Sequence, residues 1–334
     1  MQTHSGHVAR RLLVGVLALA SLGGLTSCSN AGANPKFLTD LAARLTNTSA
    51  GYTETRYPIV LVHGYLGFDK IASVEYFYGI PAALRSGGAK VFTPQVSALN
   101  STEVRGEQLL LEVQKILAVT GDEKVNLIGH SHGSPTARYV ASVRPDLVAS
   151  VTSVGGVNKG SAISDINLGL APPGSFSSEV LAAINDAVGS LLSLLSGRSD
   201  LPQDWAASQQ SLSTAGAARF NETHPQGVPE SECGEGAYKV DGVFYFSWSG
   251  ATVFTNLLDP LDPLLALSSL AFGSAKNDGL VSSCSSRLGR VIRDDYPMNH
   301  VDQINHTAGL VNPFAVSPVT LYRQHANRLK GMGL

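Results

Sequence analysis

The chain has 334 residues, of which 43% are hydrophobic and only 15% are charged, and its formal net charge is −2. This length and apolar content are sufficient for one large globular domain with a substantial core. The near-neutral charge and the lack of a long basic run exclude nucleic-acid binding as the main function.

The first 27 residues have the composition of an export signal. Arg10 and Arg11 form a basic start, residues 12–22 are apolar, and small residues follow. The apolar stretch is too short to span a membrane stably. Residues 25–28, Leu-Thr-Ser-Cys, resemble a bacterial lipobox and favour lipidation of Cys28, with ordinary cleavage after Ala33 as the alternative. We expect export, to the extracellular space or to an outer membrane with Cys28 as tether.

A linker and a pair of cysteines follow the signal. Residues 28–55 are predicted to be a linker or tether before the folded domain at 56–334. Without the signal and Cys28, Cys233 and Cys284 are the remaining cysteines. Exported proteins fold in oxidising compartments, so this pair predicts a disulfide rather than two free thiols.

From residue 56 onward, apolar runs alternate with stretches that favour helices. The predicted strands lie at 56–62, 89–93, 125–130 and 148–154, and the predicted helices at 71–84, 103–119 and from the 129–133 turn to 144. Such alternation is typical of an α/β fold, in which helices cover both faces of a mostly parallel sheet.

The alternation is interrupted at about 156–235. Apolar residues recur there at helical spacing, namely Val180, Leu181, Ile184, Ala187, Val188, Leu191, Leu194 and Leu195. This pattern predicts either an ordinary core helix or a helical lid whose apolar face covers a site in water. We favour the lid because the segment is inserted after the 129–133 unit and differs from its surroundings in composition.

The sheet is predicted to resume at about residue 238. Asp241-Gly242 is a hairpin turn signal before a strand at 243–248. A further strand is predicted at 288–293 and a closing helix at 319–329, whereas Asn299 and His300 lie in a loop.

Residues 129–133 read Gly-His-Ser-His-Gly and follow an apolar strand. The pattern G-x-S-x-G at a strand-to-helix turn is typical of a nucleophile elbow, in which a strained backbone exposes the serine hydroxyl. Gly129 and Gly133 are needed because a side chain at either position would collide across the turn. The pentapeptide alone is a weak signal, and an idle serine in a glycine-rich turn is the alternative. The predicted strand and helix around it favour Ser131 as a nucleophile.

A serine nucleophile needs a histidine to remove its proton and an acid to orient that histidine. In an α/β-hydrolase fold these residues follow the chain order serine, acid, histidine. Among the histidines after Ser131, His300 is best placed because it lies in a loop after the last predicted strand. The candidate acids in strand-end turns are Asp259, Asp262 and Asp278. We favour Asp278, in the turn Asn-Asp-Gly.

Acyl transfer also needs two main-chain N–H groups directed at the developing oxyanion. One is expected from His132, which follows the nucleophile. The other is expected from Tyr65, in the His-Gly-Tyr loop after the first strand.

Several stretches carry a resemblance to a known family. They are Arg-Tyr-Pro-Ile-Val-Leu-Val-His-Gly at 56–64, Arg-Gly-Glu-Gln-Leu-Leu at 105–110, Lys-Val-Asn-Leu-Ile-Gly-His-Ser-His-Gly at 124–133, Arg-Tyr-Val at 138–140, Cys-Gly-Glu-Gly-Ala-Tyr-Lys-Val at 233–240, Asn-Asp-Gly at 277–279, Met-Asn-His at 298–300 and Tyr-Arg-Gln-His-Ala-Asn-Arg-Leu-Lys at 322–330. Through them the chain resembles the secreted, foldase-dependent true lipases (triacylglycerol lipases) of Gram-negative bacteria over nearly all of residues 52–330.

The resemblance implies an α/β-hydrolase fold and a full set of site residues. It implies the triad Ser131, Asp278 and His300, the oxyanion donors Tyr65 and His132, and the disulfide Cys233–Cys284. It also implies one structural calcium ion (Ca²⁺), bound by the side chains of Asp259 and Asp302 and the main-chain carbonyls of His306 and Leu310. Carboxylate and carbonyl oxygens suit this hard cation. Sequence alone would leave Asp302 as a solvated surface acid.

The resemblance further implies a lipid ester substrate at a lipid–water interface, a lipase-specific foldase as partner, and a monomer. Two positions depart from the family. Ser134 stands where members usually carry a second glycine, and Gly-Val-Asn at 156–158 replaces Ala-Pro-His near the acyl pocket. The lipobox also differs from the freely secreted members. We expect a triacylglycerol lipase, with a carboxylesterase or polyester hydrolase of the same triad, or a non-catalytic surface lipoprotein, as alternatives.

Overall fold

The computed structural model of the chain describes residues 51–65, 67, 70–71, 74–170, 181–182 and 201–334. The predicted export signal, Cys28 and all of the predicted lid helix except residues 181–182 lie outside these residues. The compact unit that contains them spans Thr48–Leu334. Residues 51–55, the end of the predicted linker, pack on this unit, since Thr53 is buried and its hydroxyl donates to the Leu84 carbonyl at 2.6 Å.

The strands are β1 (Ile59–Val62), β2 (Lys70–Ile71), β3 (Val74–Glu75), β4 (Val91–Phe92), β5 (Val125–His130), β6 (Val148–Val154), β7 (Lys239–Val240), β8 (Val243–Gly250) and β9 (Arg290–Tyr296). Seven of these described strands form one sheet, in the order β4-β1-β5-β6-β8, with both β7 and β9 pairing with β8. Every pair in this sheet is parallel except the β7–β8 hairpin. The predicted, mostly parallel α/β sheet is confirmed.

The helices of the described residues are α1 (Ile80–Ser86), α2 (Thr102–Thr120), α3 (Gly133–Val143), α4 (Ala162–Asn167), α5 (Trp205–Leu212), α6 (Thr214–Thr223), α7 (Asp262–Ser268), α8 (Ser283–Ser286), α9 (His306–Gly309) and α10 (Pro318–Gly331). The predictions of α2, α3 and the closing helix α10 are confirmed. None of the helices in this part of the chain is long and apolar enough to cross a lipid bilayer.

The prediction of a helix over 71–84 is wrong in its first half. Strands β2 and β3 pair as an antiparallel hairpin there, and α1 begins only at Ile80. Pro81 occupies the first turn of α1. A proline is tolerated in the first turn but breaks a helix interior, because it lacks the N–H that the interior requires. Apolar periodicity therefore placed the helix start too early.

The core lies on both faces of the sheet. Val60 and Val62 of β1 pack with apolar residues of α2 and α3 on one face. Ile59 and Leu61, which alternate with them, pack with residues of α1 and α10 on the other. Because successive strand side chains point to opposite faces, a continuous apolar run fills two cores. This leaves the loops at the carboxyl ends of the strands free to carry a site.

The predicted disulfide is confirmed. Cys233 and Cys284 are bonded, with their Cα atoms 4.6 Å apart and 51 residues apart in sequence. A closed loop of this length restricts the unfolded chain and stabilises the fold by roughly 4 kcal/mol in the chain-entropy model. The bond attaches the segment before β7 to α8.

Five histidines of the described residues are buried, and four of them are His63, His130, His132 and His325. Burial lowers the pKa of His63 to about 3, because a charged imidazole would lose its hydration. Burial likewise lowers the pKa values of the other three well below 6.5. All four rings are therefore neutral at pH 7.

We expect the free energy of unfolding to fall as the pH is lowered from 7 to 5. An unfolded histidine has a pKa near 6.5, whereas these native rings stay neutral, so the unfolded state binds more protons below pH 6.5. Each such histidine contributes a slope of about 1.4 kcal/mol per pH unit well below its unfolded pKa. Two buried carboxyl groups, Asp259 and Asp302, have raised pKa values and therefore increase the free energy of unfolding as the pH falls. The four histidines outnumber them, so the net effect is a loss of stability. Urea unfolding followed by tryptophan fluorescence measures the loss.

His325→Gln is the control, because it removes one of these four histidines and leaves the other three. The slope of its free energy of unfolding against pH should be smaller than that of the wild type by about 1.4 kcal/mol per pH unit, which corresponds to one proton fewer bound on unfolding. An unfolding free energy that is equal at pH 7 and pH 5 in the wild type would contradict this account.

Candidate active site

Ser131 lies at the turn between β5 and α3, with a φ of 56°. This left-handed value is unusual for a residue with a side chain and is the strain expected of a nucleophile elbow. A Cβ atom at Gly129 would lie 2.2 Å from the Gly133 carbonyl oxygen, and one at Gly133 would lie 2.1 Å from the Val62 carbonyl oxygen. Both glycines are therefore required by close approach, as predicted.

Asp278 and His300 are in direct contact. The His300 Nδ1 donates to Asp278 Oδ2 at 2.8 Å, and the His300 main-chain N–H donates to the Asp278 carbonyl at 2.8 Å. Asp278 is fully buried, and its Oδ1 accepts the N–H groups of Leu280 at 3.1 Å and Val281 at 2.8 Å. A carboxylate that accepts on both oxygens holds the imidazole in the tautomer whose Nε2 is free to accept a proton.

Gln303 is a site residue that the sequence analysis missed. Its Nε2 donates to Asp278 Oδ2 at 2.7 Å, the same oxygen that accepts from His300. Its spacing from His300 could have indicated it. Gln303 lies three residues after His300, on the short turn Asp302–Ile304. Gln303 therefore gives Asp278 Oδ2 a second donor besides the imidazole.

The elbow and the His300 loop lie side by side. The His130 ring, next to Ser131, lies 4.6 Å from the His300 ring by centroid, and its Nε2 donates to the His300 carbonyl at 2.9 Å. Among the described residues, no hydrogen bond joins the Ser131 hydroxyl to the His300 imidazole. The structure thus brings the predicted acid and base together beside the serine, without a hydrogen bond between the serine hydroxyl and the imidazole.

The predicted oxyanion loop crosses over the elbow. A Cβ atom at Gly64 would lie only 2.6 Å from the Ser131 Cβ. Gly64 N–H donates to the Tyr76 hydroxyl at 3.0 Å, and that hydroxyl bonds His130 Nδ1 at 2.7 Å. Tyr65 follows Gly64 directly, and within the described residues its N–H and that of His132 donate to no main-chain group. Tyr65 and His132 therefore stay the predicted oxyanion donors, next in the chain to Gly64 and Ser131.

A buried guanidinium fixes the oxyanion loop. Arg105 of α2 donates to the His63 carbonyl at 2.6 Å and to the Ser97 carbonyl, and its Nε donates to the Thr136 hydroxyl at 3.2 Å. Burial lowers the pKa of Arg105 to about 9, which still leaves it charged at neutral pH. Because it bonds both the loop and helix α3, Arg105 sets the distance between the oxyanion loop and the elbow. In the sequence this arginine is marked only as the first residue of the stretch at 105–110.

The two departures from the family pattern contact each other. The Ser134 hydroxyl donates to Asn158 Oδ1 at 2.9 Å, and both residues are fully buried. Asn158 Nδ2 donates in turn to the Ser153 hydroxyl at 2.9 Å and to the Ser286 carbonyl at 3.1 Å. Val157, the neighbour of Asn158, donates its N–H to the Ser131 carbonyl at 3.3 Å. The pair therefore joins the elbow helix to the loop that follows β6.

Three buried carboxylates lie behind the His300 loop. Asp262 is satisfied by protein, since it accepts the N–H groups of Thr255 and Asn256 and the Asn299 amide. Asp259 and Asp302 are different, because Asp259 Oδ2 and Asp302 Oδ1 are buried without a partner. Burial, with nearby carboxylates adding to it, raises the pKa of Asp302 to about 7.

His306 and Leu310, the other predicted calcium-binding residues, flank an unusual turn. Thr307 and Ala308 have φ values of 59° and 55° within α9, so their carbonyls point differently from those of a regular helix. Thr307 approaches the Asp259 carboxylate. The described residues contain no group of three or more His, Cys, Asp or Glu side chains suited to a metal. A cation here would need main-chain carbonyls besides the two carboxylates.

Comparison with known proteins agrees with this geometry. The family of the alpha/beta hydrolase fold matches residues 57–282. A triacylglycerol lipase of Vibrio cholerae is 60% identical over 284 residues, which are 85% of this chain and 91% of that protein. A triacylglycerol lipase of Pseudomonas fragi is 47% identical, covering 84% and 98%, and one of Burkholderia plantarii is 38% identical, covering 98% of each.

Solved structures show the same fold at low identity. Lipase 1 from Pelosinus fermentans superposes with a TM-score of 0.57 at 15% identity, covering 83% of this chain and 99% of that one. The lipase BlEst2 of Bacillus licheniformis, in its mature form, gives a TM-score of 0.52 at 17% identity, covering 77% and 89%. The chain belongs to the α/β-hydrolase family and, within it, to the bacterial triacylglycerol lipases, which are carboxylic ester hydrolases.

Proposed function

We propose that this enzyme is a triacylglycerol lipase that hydrolyses long-chain acylglycerols with Ser131, His300 and Asp278 as its catalytic triad. The observation that carries this proposal is the 2.8 Å hydrogen bond from His300 Nδ1 to the buried Asp278, beside a serine with a φ of 56°. The identity of 60% to a triacylglycerol lipase of Vibrio cholerae supports the substrate class.

The reaction runs in two steps. His300 Nε2 takes the proton of Ser131 as Oγ attacks the ester carbonyl, and the main-chain N–H groups of Tyr65 and His132 bind the oxyanion. His300 then gives the proton to the departing alcohol, and the acyl group remains bonded to Ser131 as an acyl-enzyme. In the second step His300 deprotonates water, which attacks the acyl-enzyme. His300 then returns the proton to Ser131 Oγ as the fatty acid leaves. Formation of the link between Ser131 and His300 on substrate binding fits the loose geometry common in ligand-free sites.

Ser131→Ala should lower kcat on emulsified triolein by about 10⁶-fold, and Asp278→Asn by roughly 10⁴-fold, because the first removes the nucleophile and the second the orienting charge. Both variants should keep the wild-type unfolding midpoint within a few degrees. Hydrolysis measured by fatty-acid titration, with labelling by an organophosphonate, checks this.

Ser134→Gly is the matched control, because it removes a neighbouring serine and should leave the phosphonate on Ser131. Label on another residue, or near-normal turnover by Ser131→Ala, would reject the triad. A rate on tributyrin in solution far above that on triolein droplets would instead indicate an esterase with the same triad.

We further propose that Asp259, Asp302 and the carbonyls of His306 and Leu310 hold a structural calcium ion. The residues fit, because Asp259 and Asp302 each carry a buried oxygen without a partner whereas the neighbouring Asp262 does not. Asp302 Oδ2 accepts the N–H of Asn299 at 3.0 Å. When bound, the ion supplies charge neutralisation and a fixed position for the loop of His300, two residues from Asp302.

Removal of calcium with a chelator should lower the unfolding midpoint of the wild type, and adding calcium back should restore it. The ion stabilises the folded state by mass action, by about 2.7 kcal/mol at 100 times its Kd. Differential scanning calorimetry with and without calcium measures the shift independently of activity.

Asp262→Asn is the control for an acid that accepts protein hydrogen bonds but is not proposed to bind calcium. It should be destabilised in both conditions, because Asp262 anchors three hydrogen-bond donors, yet keep the full calcium-dependent shift. Asp302→Asn should lose that shift. A wild-type midpoint that is the same in chelator and in calcium would reject the ion site.

Ser134 and Asn158 should act as one unit in turnover. Ser134→Ala and Asn158→Ala should each lower kcat, and the double variant should lose no more than Asn158→Ala alone, with a coupling of about 1 kcal/mol. The physical reason is that each change breaks the same bond between the elbow helix and the loop after β6. Kinetics on a soluble short-chain ester measure the cycle.

The matched control pair lies in strands β5 and β6, away from the site. The Ser150 hydroxyl donates to Asn126 Oδ1 at 2.7 Å, and both residues are fully buried. Ser150→Ala and Asn126→Ala should lower stability and leave kcat within about twofold. Additive effects of Ser134→Ala and Asn158→Ala on kcat would show that the pair has no joint role.

The remaining expectations rest on sequence and stay proposals. They are export with a signal at 1–27, lipidation of Cys28, a lid within 156–235, folding with a lipase-specific foldase, and a monomeric state. Leu181, the described residue of the predicted lid helix, packs on Ile163 and Ile166 of α4. Mass spectrometry of the mature amino terminus separates lipidated Cys28 from cleavage after Ala33.

A further inference from the structure

Two neighbouring loops expose large apolar side chains beside the candidate active site. We name these side chains the apolar rim; they are Phe254, Leu257, Leu258, Phe314 and Val316, with 47%, 88%, 76%, 97% and 36% of their surface exposed. Isolated exposed apolar residues are ordinary, but a group of them on adjacent loops marks a surface that binds something.

Side-chain amides hold the two loops together and in shape. Asn256 Nδ2 donates to the Val311 carbonyl at 3.0 Å and so joins one loop to the other. Asn256 Oδ1 also accepts the N–H of Leu258 at 3.0 Å. In the second loop, Asn312 Oδ1 accepts the N–H of Phe314 at 3.0 Å. The rim is therefore presented by ordered turns.

The same loops are bonded to the segment that carries His300. Asn312 Nδ2 donates to the Pro297 carbonyl at 3.3 Å, and Thr252 N–H donates to the Met298 carbonyl at 3.3 Å. Asn299 Nδ2 donates to the Thr255 hydroxyl at 3.3 Å. The loops that carry the rim are therefore adjacent to the segment that carries His300.

The rim carries no charge. Residues 251–258 and 309–321 contain no Asp, Glu, Lys or Arg. Neutral oil offers neither counter-ions nor directed hydrogen bonds, so an uncharged apolar surface matches it. A protein partner would instead be recognised by shape complementarity and about one hydrogen bond per 100–200 Å². Leu257 and Phe314 are almost fully exposed, and their side chains carry no polar group that a protein partner could hydrogen-bond.

We propose that the apolar rim inserts into the surface of a neutral lipid droplet. The rim would thereby hold the enzyme with the loops of Ser131 and His300 close to that surface. This inference rests on the proposed lipase function and names the part of the chain that reaches the lipid. The side chains already protrude, so docking needs no rearrangement of either loop. Insertion of several apolar side chains at shallow depth is how proteins bind at a lipid interface without spanning it.

The test measures docking without turnover. Every protein carries Ser131→Ala, and its binding to triolein droplets coated with phosphatidylcholine is measured by flotation. Leu257→Asp/Leu258→Asp and Phe314→Asp should each weaken binding at least tenfold, because a charge replaces a side chain that the lipid would bury. Since no charged group takes part, 0.5 M salt should not weaken the binding of the parent.

Leu111→Asp/Val119→Asp is the matched control. These residues lie on α2, on helix rather than loop surface, with 56% and 82% of their surface exposed. This variant should float like the parent, within twofold. Equal flotation of the rim variants and the parent would overturn the proposal. A parent that is dimeric by size exclusion at micromolar concentration, with monomeric rim variants, would also overturn it and assign the rim to a second copy.

The wild-type enzyme separates this failure from failure of the proposed function. If it hydrolyses triolein while rim variants dock normally, the rim proposal fails and the lipase function stands. If it hydrolyses neither triolein nor tributyrin, the lipase function fails whatever the flotation shows.

Discussion

The hydrogen bond between His300 and the buried Asp278 is the interaction on which the site depends. It joins two loops whose residues are 22 positions apart in the chain, and further hydrogen bonds hold each residue of the pair. Asp278 is fixed by the N–H groups of Leu280 and Val281 and by Gln303, and the His300 carbonyl accepts from His130 beside the nucleophile. The imidazole therefore has one tautomer and one position before substrate arrives, which is what general-base catalysis by a neutral histidine requires.

Much of the fold follows from local signals that agree with one another. Three local features encode their geometry within a few residues, and the structure has all three. They are the continuous apolar run of β1, the glycine pair around Ser131 and the turn at Asp241-Gly242. The helix predicted at 71–84 is wrong in its first half, because apolar spacing does not reveal the effect of Pro81, whose missing N–H permits a helix only to start there.

The candidate site residues could be predicted where the chemistry constrains residue type and order. They could not be predicted where their role depends on buried hydrogen bonds between distant parts of the chain. A serine, an acid and a histidine in that order are a chemical requirement. Nothing in the sequence reveals that Arg105 is buried and bonds both the oxyanion loop and α3, or that Ser134 and Asn158 satisfy each other. These contacts join residues 24 to 42 positions apart, so only the folded chain displays them.

A crystal structure of the enzyme with an alkyl phosphonate bound to its nucleophile tests the central claim most directly. The account predicts phosphorus bonded to Ser131 Oγ, His300 Nε2 within hydrogen-bond distance of that oxygen, and the phosphoryl oxygen within about 3 Å of the N–H groups of Tyr65 and His132. An adduct whose phosphoryl oxygen lies away from both N–H groups, or a His300 ring that has left Asp278, would contradict it.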